Sequence, residues 1–175
     1  MNEKKEAHIG LRPMSETDLL LVLGWRNHPL VRKHMFLQHE INFDEHLCWF
    51  NTASVDESRR LLIFEVDSVP LGYVNFSLND VDEAVWGFYI APDAPKGTGR
   101  LLGKAALNYV FGPLGIKCLW GNVLSTNVAS QNFHIRQGFN LENTLTSKTN
   151  ETPNSSEVKR YFLTRRAWLD SKGGD

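Results

Sequence analysis

Two glycines flanked by basic residues form the segment of this sequence best suited to holding an anion. Residues 96–100 read Lys-Gly-Thr-Gly-Arg, follow an apolar run that ends at Ile90, and precede a stretch with helical periodicity. Glycines in a tight loop allow backbone N–H groups to converge, and the start of a helix adds partial positive charge. The spacing fits neither a Walker loop nor a dinucleotide-binding fingerprint. By itself the segment indicates a phosphate or pyrophosphate site, or else a flexible turn between a strand and a helix.

A second group of polar side chains recurs at helical spacing in residues 127–139. Ser130 and His134 are four residues apart and Asn127 lies one turn before Ser130, so one helix face carries all three. A helix cap followed by a partly buried histidine would produce the same pattern. Gly138 stands where the C-terminal end of a helix favours glycine. A structural and a functional interpretation of this face both remain open at this point.

Composition restricts the classes of protein to which these segments belong. The chain has 175 residues, of which 42% are hydrophobic and 22% charged, and its formal net charge is -1. These values are typical of a globular domain, and the near-neutral charge argues against a dedicated nucleic-acid-binding protein. The longest apolar run, Leu19 to Trp25, is too short to cross a bilayer, and no signal peptide is visible. We expect one cytoplasmic domain over residues 1–175, with a frayed tail at 170–175 and no nucleic-acid or membrane partner.

Cysteines and histidines give no indication of a metal site. The two cysteines, Cys48 and Cys118, have apolar neighbours in the sequence and are expected to be buried thiols in a reducing compartment. The six histidines show no metal-ligand spacing. We therefore expect no metal.

Hydrophobic periodicity places the polar segments in an α/β order of elements. Strands are predicted at residues 8–13, 61–66, 71–78, 85–90, 116–124 and 158–163. Helices are predicted at residues 15–28, 31–35, 101–110 and 127–138, and after a cap at Asn42. Residues 79–82 are predicted to form a turn and residues 144–156 a long mobile hairpin tip, and Trp168 and Leu169 to hold the end of the chain. One sheet with helices on both faces follows.

The order of these motifs resembles that of the GNAT N-acetyltransferases. The superfamily resemblance rests on Ile90-x-Pro92, the 96–100 loop and Asn127-x-x-Ser130-x-x-x-His134-x-Arg136-x-Gly138-Phe139. Residues 11–13, 25–27 and 31–32 extend it to the branch containing ribosomal-protein acetyltransferases. Residues 35, 46–50, 86–89 and 161–163 are most similar to acetyltransferases that act on UDP-linked amino sugars in pseudaminic acid biosynthesis. The resemblance implies a single GNAT-type domain with a mixed, mostly antiparallel sheet of about seven strands and helices on both faces.

The resemblance also implies an acetyl-CoA-dependent N-acetyltransferase in which the acceptor amine attacks the thioester directly. The 96–100 loop would bind the coenzyme A pyrophosphate, and the pantetheine arm would pair with the strand at Ile90 and Ala91. A backbone N–H near Ile90 would stabilise the developing oxyanion. The cofactor-binding residues implied are Ile90, Ala91, Lys96, Gly97, Thr98, Gly99, Arg100, Asn127 and Ser130. Neither a nucleophilic side chain nor a metal is required.

Catalytic proton transfer is expected at two positions. The family usually has tyrosine where this chain has His134, so His134 is predicted to protonate the departing thiolate. Glu83, at the entrance to the central strand, is the nearest acidic candidate for the base that deprotonates the amine, although it also fits a solvated turn. Asn122 is an alternative that would orient a water. Ala94 departs from the glutamine or arginine with which the usual loop begins.

The predicted acceptor is the 4-amino group of a UDP-linked 4-amino-4,6-dideoxy sugar. Arg26, Arg32 and Lys33 are candidates for the diphosphate, and Arg26 is suited to bidentate contact. His46 and Trp49 share a helix face that could contact the nucleotide. A pocket for the deoxysugar methyl or for the nucleobase would be lined by Met35, Phe36, Trp86 and Tyr89. Core packing is the alternative for the two tryptophans.

Other functions and partners remain open on the same sequence. The acceptor could instead be a protein N-terminus or a small polyamine. A module that binds acyl-CoA without turnover is a further alternative, because His134 replaces the usual tyrosine. A homodimer is a further prediction.

Overall fold

A seven-stranded sheet forms the centre of the described part of the molecule. The computed structural model describes residues 7–79, 82–147 and 156–173. The strands are β1 (Ile9–Pro13), β2 (Arg59–Val66), β3 (Val69–Leu78), β4 (Glu83–Ile90), β5 (Cys118–Leu124), β6 (Asn140–Ser147) and β7 (Ser156–Thr164). They lie in the order β1-β2-β3-β4-β5-β7-β6. Neighbouring strands are antiparallel except β4 and β5, which are parallel. The mixed, mostly antiparallel sheet predicted from the sequence is confirmed.

Six helices accompany the sheet in the described residues. They are α1 (Leu19–Asn27), α2 (Pro29–Arg32), α3 (Phe43–Ala53), α4 (Thr98–Phe111), α5 (Val128–Arg136) and α6 (Arg165–Lys172). Local chemistry sets several of their ends. The side chains of Asn42 and Asn127 accept hydrogen bonds from the N–H groups of Glu45 and Ser130, at 2.9 and 3.1 Å, and so cap α3 and α5. Gly138 follows α5 with φ of 89°, a left-handed conformation that favours glycine.

Helices cover both faces of the sheet, as predicted. On one face α4 packs its Leu102 and Val110 against strand residues such as Phe64 and Phe76, all of them buried. On the other face α1 and α3 cover Ile63 and Tyr73. The side chains of β2 alternate between the two faces, which is the period-two pattern of a strand buried on both sides.

Some local predictions were wrong. The second helix lies at 29–32 rather than 31–35, and β6 occupies the first part of the predicted hairpin tip. Residues 148–155 of that tip lie outside the described residues, as do residues 80 and 81 of the predicted 79–82 turn. Trp168 packs on Phe111 with ring centroids 5.3 Å apart, but Leu169 is 50% exposed. Helix α6 continues to Lys172, so the tail begins later than residue 170. Cys48 is exposed, because it lies on the outer side of α3, and Cys118 is only partly buried.

The parallel strands β4 and β5 part before either of them ends. Their pairing stops at Trp86 and Gly121, whereas β4 continues to Ile90 and β5 to Leu124. The N–H of Ala91 donates to the carbonyl of Leu71 on β3 at 2.9 Å. Backbone groups alternate in direction along a strand, so Phe88 and Ile90 direct theirs toward the gap that β5 leaves. The gap therefore exposes strand backbone that lacks a strand partner.

A loop formed by residues 33–42 is fixed against the C-terminal end of α1. The side-chain amide of Asn27 donates to the carbonyl of Ile41 at 2.7 Å and accepts from its N–H at 2.9 Å. Arg26 donates from Nη2 to the carbonyl of Leu37 at 2.5 Å. Because α1 packs on the face of the sheet that carries Tyr73 and Tyr89, the loop approaches the gap between β4 and β5 from that face.

An ionic network ties the start of α1 to the sheet. Arg12 on β1 donates to both carboxylate oxygens of Asp18, at 2.7 and 2.8 Å, and to Glu65 on β2 at 2.7 Å. Asp18 also accepts from the N–H of Ser15 at 2.8 Å. The hydrogen bonds from Arg12 hold the pKa of the buried Asp18 carboxyl below its ordinary value.

Candidate functional site

A cavity of about 220 Å³ occupies the gap where β4 and β5 part, and we call it the central cavity. β4 contributes residues 85–89, β5 residues 122–124, α5 Asn127, Ser130 and His134, the 33–42 loop His34, Met35 and Phe36, and β3 Asn75. Five elements therefore meet at one opening in the sheet. An opening of this kind accepts a ligand that pairs with strand backbone on its way to the reacting atoms.

The central cavity contains few ionisable groups. Of the described residues that line it, His34, Tyr89 and His134 are titratable, and none is a carboxylate. Burial and the neighbouring Tyr73 raise the pKa of Tyr89, so its phenol stays protonated at neutral pH. The lining otherwise consists of apolar side chains, the hydroxyl of Ser130 and the amides of Asn75, Asn122 and Asn127.

His134 lies at the floor of the central cavity and is only 2% exposed. Its Nδ1 lies 2.8 Å from the carbonyl oxygen of Ser130, and its Nε2 lies 3.1 Å from the indole Nε1 of Trp86. A carbonyl only accepts and an indole only donates, so these partners assign the neutral tautomer with the proton on Nδ1. Burial lowers the pKa of His134 to about 4 despite the hydrogen bond to Ser130. In this geometry both ring nitrogens are engaged, so the predicted role as proton donor to a thiolate would require the ring to give up the Ser130 carbonyl.

A second cavity, of about 660 Å³, lies between α4 and α5, and we call it the α4–α5 cavity. Its described lining consists of Gly97, Gly99, Arg100, Ala129, Phe133, Arg136 and Gln137, which include two guanidinium groups and no carboxylate. Gly97 has φ of 93°, and a Cβ added there would meet no atom within 4 Å. The loop before α4 thus presents open space, helix-terminal N–H groups and positive charge together, which fits a phosphate ligand.

Helix α5 borders both cavities and packs closely on α4. A Cβ added at Gly103 of α4 would lie 2.7 Å from Cζ of Phe133, so only glycine allows this approach. Ser130 and His134 face the central cavity, whereas Phe133 and Arg136 face the α4–α5 cavity. A helix is about 10 Å wide with its side chains. A long ligand anchored between α4 and α5 therefore needs only about that length to reach the gap in the sheet.

A cluster of buried polar groups lies between α1, α3 and the sheet. Arg26 Nη1 and His46 Nε2 are buried without a hydrogen-bond partner among the described residues, and the two side chains lie close enough to interact electrostatically. Burial lowers the pKa of Arg26, and burial together with Arg26 lowers that of His46. No carboxylate in the described ranges forms an ion pair with Arg26, whereas Arg32 pairs with Glu40 at 3.2 Å. A half-buried guanidinium that has one buried N–H group without a partner and forms no ion pair favours an anionic ligand.

The structure brings together most of the residues that the sequence singled out. Met35, Phe36, Trp86, Tyr89, Asn127, Ser130 and His134 line the central cavity, and Gly97, Gly99 and Arg100 line the α4–α5 cavity. Ile90 directs its backbone toward the gap, but the N–H of Ala91 is taken by Leu71. The Thr98 hydroxyl donates to the carbonyl of Pro95 at 2.7 Å, so this buried side chain shapes the loop.

Other predicted site residues lie outside the two cavities. Glu83 is at the paired end of β4, and its carboxylate accepts from Nε1 of Trp120 at 3.1 Å. It lies four residues before Gly87, or about 13 Å along the strand, so the predicted base is misplaced. Trp49 stacks on the buried His46 with ring centroids 5.1 Å apart, which favours packing. The side chains of Lys96 and Arg32 line neither cavity.

Several lining residues escaped the sequence analysis. His34 and Asn75 reach the central cavity from a loop and from β3, and no local pattern marks either. Arg136, in the α4–α5 cavity, was part of the motif but had no assigned role. Its position three residues after Phe133 could have indicated a shared helix face.

The described residues form neither a metal-binding cluster nor a membrane-spanning helix. Within residues 7–79, 82–147 and 156–173, no group of three or more His, Cys, Asp or Glu side chains is placed to hold a metal ion. In the same ranges, no helix has the length and apolar character needed to span a bilayer.

Known proteins share both the sequence pattern and the fold. Residues 8–140 match the sequence family described as "Acetyltransferase (GNAT) domain". Over 114 residues the chain is 27% identical to acetyltransferase PseH of Campylobacter jejuni subsp. jejuni serotype O:2. These residues make up 65% of this chain and 71% of that protein. PseH of serotype O:23/36 is 26% identical over the same length. Spermidine N-acetyltransferase from Vibrio cholerae, solved in complex with CoA and spermine, superposes with a TM-score of 0.83 at 24% identity over 92% of this chain and 98% of that one.

Proposed function

Because the chain belongs to the GNAT acetyltransferase family and is an acetyl-CoA-dependent N-acetyltransferase, we propose that it acetylates the 4-amino group of a UDP-linked 4-amino-4,6-dideoxy sugar. The observation that carries the choice of acceptor is the half-buried guanidinium of Arg26, whose Nη1 is buried without a hydrogen-bond partner and which forms no ion pair among the described residues. The resemblance of residues 46–50 and 86–89 to acetyltransferases of UDP-linked amino sugars supports it. So does the match to two acetyltransferases named PseH.

The α4–α5 cavity is the proposed site of the coenzyme A pyrophosphate. Gly97 and Gly99 allow the ligand to approach the backbone, and Arg100 and Arg136 supply positive charge. Acetyl-CoA supplies the acetyl thioester for the reaction. Asn127 and Ser130 lie on the side of α5 that faces the central cavity, where they would contact the arm of the cofactor.

Backbone groups of β4 are proposed to hold the thioester at the reacting position. Phe88 and Ile90 direct their N–H and carbonyl groups into the gap, so an extended arm would pair with them as an added strand does. An N–H from this pair would donate to the carbonyl oxygen as negative charge develops on it. The acceptor amine attacks the thioester carbon directly, and no side-chain nucleophile takes part.

The buried polar cluster is the proposed site for the diphosphate of the acceptor. Arg26 would donate from Nη1 to a phosphate oxygen, and Nε2 of the neighbouring His46 is a second polar atom without a partner within the described chain. Each hydrogen bond to a charged group contributes about 1.5–3 kcal/mol. Met35, Phe36, Trp86 and Tyr89 line the central cavity beside this cluster and would contact the sugar.

The charge distribution disfavours a polyamine acceptor. A polyamine carries several positive charges and needs carboxylates, but the described lining of the central cavity contains none. Arg26 would instead repel it. Within the described residues, Arg32 and Glu40 neutralise each other at 3.2 Å and so add no net charge near the loop.

An acceptor screen with acetyl-CoA tests this proposal. Free thiol release is measured with a UDP-4-amino-4,6-dideoxy sugar, with spermidine and with peptides that have a free N-terminus. We expect turnover with the nucleotide sugar and at most weak release with the others. No release with any UDP-linked amino sugar, together with turnover of spermidine, would refute the proposed acceptor.

Comparing Arg26→Ala with Arg32→Ala tests the residue that carries the choice of acceptor. Arg26→Ala is expected to raise the KM for the nucleotide sugar by about tenfold or more, because a charge-assisted hydrogen bond is lost. Arg32→Ala should change that KM by less than about threefold, because its ion pair with Glu40 is exposed. Equal effects of the two substitutions would remove Arg26 from the acceptor site.

A further inference from the structure

The acceptor amine is protonated at neutral pH and must lose a proton before it attacks the thioester, yet neither predicted proton-transfer residue fits that step. Glu83 lies outside the cavity and His134 has both nitrogens engaged. We propose that His34, a residue of the 33–42 loop that lines the central cavity, is the general base that deprotonates the amine. The proposal rests on the N-acetyltransferase activity and not on which amine is the acceptor.

Only one titratable group of the described central cavity is suited to act as the general base. Among the described lining residues they are His34, Tyr89 and His134. Tyr89 has a raised pKa and stays a neutral phenol, which is a donor and not a base at neutral pH. The Nε2 lone pair of His134 accepts the hydrogen bond from Trp86, so taking up a proton there would break a buried contact. His34 alone keeps an available lone pair.

The surroundings of His34 keep its imidazole ring neutral and leave its nitrogens without hydrogen bonds in the described chain. In the described chain neither ring nitrogen forms a hydrogen bond, and the side chain is only partly buried, so a ligand can reach it. Partial burial and the charge of Lys33 lower its pKa below 6.5. Tyr89 of β4 and His134 of α5, the titratable groups that face the same space, are both neutral at pH 7. The imidazole is therefore mostly unprotonated at pH 7, as a base must be.

Four hydrogen bonds fix the segment that carries His34. Arg26 holds the carbonyl of Leu37, and Asn27 holds both backbone groups of Ile41, while the N–H of His34 donates to the carbonyl of Val31 at 3.0 Å. A base that must lie within hydrogen-bonding reach of the amine gains from such anchoring. The loop enters from the α1 side of the sheet, where the acceptor cluster around Arg26 also lies.

Deprotonation of the acceptor by His34 leads directly to transfer of the acetyl group. The ammonium of the acceptor gives one proton to a ring nitrogen of His34, and the freed lone pair forms the C–N bond at the thioester carbon. The C–S bond breaks and its electron pair leaves with the sulfur. The second proton lost from the nitrogen goes to that thiolate, the third stays on the amide, and His34 returns its proton to the solvent.

Kinetics of His34→Ala and His34→Gln, with His39→Ala as the control, test the role. His39 is exposed, belongs to the same loop and bonds to Glu45 at 2.9 Å, away from the cavity. Loss of a general base lowers kcat by about 10²-fold or more. We expect this loss in both His34 variants at an unchanged KM for acetyl-CoA, and a change below about twofold in His39→Ala. Added imidazole should restore part of the activity of His34→Ala, because the truncation leaves room for it.

The outcomes separate this proposal from the proposed acceptor. The variants are assayed with whichever amine the wild-type enzyme acetylates, so a wild type that prefers spermidine refutes the acceptor and leaves His34 testable. A kcat within about threefold of wild type in His34→Gln, whose melting temperature confirms folding, overturns the proposal. Loss of activity without rescue of His34→Ala by imidazole also overturns it, since a structural role produces that result.

Discussion

The indole of Trp86 donates a hydrogen bond from Nε1 to Nε2 of His134 at 3.1 Å, in a buried contact between β4 and α5. The other ring nitrogen of His134 donates to the Ser130 carbonyl at 2.8 Å. The imidazole also stacks on Tyr161 of β7, with ring centroids 5.4 Å apart. His134 therefore fixes α5 to the sheet at the floor of the central cavity, where the family more usually has a tyrosine.

Replacing His134 with glutamine should leave turnover within about threefold of wild type at pH 7, because a neutral, fully engaged imidazole transfers no proton. A glutamine amide is able to donate to Ser130 and accept from Trp86. Steady-state kinetics of the folded variant measure this. A loss of 10²-fold or more in kcat, at an unchanged KM for acetyl-CoA, would return the proton-donor role to His134.

The lowered pKa of His134 predicts how the free energy of unfolding depends on pH. The pKa of His134 is about 4 in the folded state and near 6.5 in the unfolded state, so the unfolded chain binds more protons between these values. Stability should therefore fall as the pH drops through this window, by about 2 kcal/mol between pH 7 and pH 5. His134→Gln removes that contribution. Urea unfolding at the two pH values tests it, and equal losses in both proteins would contradict the assignment.

Gly121 should resist substitution because the Trp86–His134 pair fills the space beside it. A Cβ added at Gly121 would overlap Nε2 of His134 and lie 2.9 Å from Nε1 of Trp86. Overpacking and the loss of a buried hydrogen bond together predict a destabilisation of about 2–4 kcal/mol in Gly121→Ala. Gly24→Ala is the control, since that Cβ would meet nothing within 4 Å on the exposed side of α1. It should stabilise the protein by up to about 1 kcal/mol, read from denaturant midpoints.

Arg136→Gln should weaken acetyl-CoA binding without disturbing the chemistry. Its guanidinium borders the α4–α5 cavity together with that of Arg100. Removing one charge-assisted contact to a phosphate predicts an increase of about tenfold in the KM for acetyl-CoA, with little change in kcat. The increase should shrink as salt is added, because the residue is exposed. Arg166→Gln on α6 is the matched control, and an equal effect there would place the phosphates elsewhere.

Asp18→Asn should lower the free energy of unfolding by about 1–3 kcal/mol at pH 7, because Arg12 loses a charged, doubly hydrogen-bonded partner. The pKa of Asp18 is below its ordinary 3.8 in the folded state, so its contribution is present above about pH 4 and lost as the pH falls through the folded value. Thermal unfolding of both proteins at pH 7 and pH 3 measures this. A destabilisation by Asp18→Asn that is as large at pH 3 as at pH 7 would contradict the contribution of the ionised carboxylate.

Elements specified by near neighbours in sequence were predictable. The caps at Asn42 and Asn127 and the end of α1 before Pro29 depend on a few adjacent residues, and all three agree with the structure. Strand β6 was missed because Asn140–Ser147 is mostly polar and gains its order by pairing with β7. Cys48 was misjudged because its apolar sequence neighbours lie on other sides of α3.

The site was predictable only where one helix or loop carries several of its residues. The shared face of Asn127, Ser130 and His134 and the glycine loop follow from spacing alone. The partner of His134 lies 48 residues away on β4, and only the fold brings the two together. His34 and Asn75 reach the central cavity from a loop and an otherwise ordinary strand, so no local signal identifies them.

The parting of β4 and β5 after Trp86 and Gly121 has a kinetic consequence. Helix α5 lies between the gap and the α4–α5 cavity, and the 33–42 loop borders the gap from the α1 side of the sheet, so each reactant has its own entrance. Both reactants can be bound at once, so the acetyl group can pass directly to the amine without a covalent acetyl-enzyme intermediate. Initial-rate plots should then intersect, as in a sequential ternary-complex mechanism, and free CoA should compete with acetyl-CoA but not with the amine.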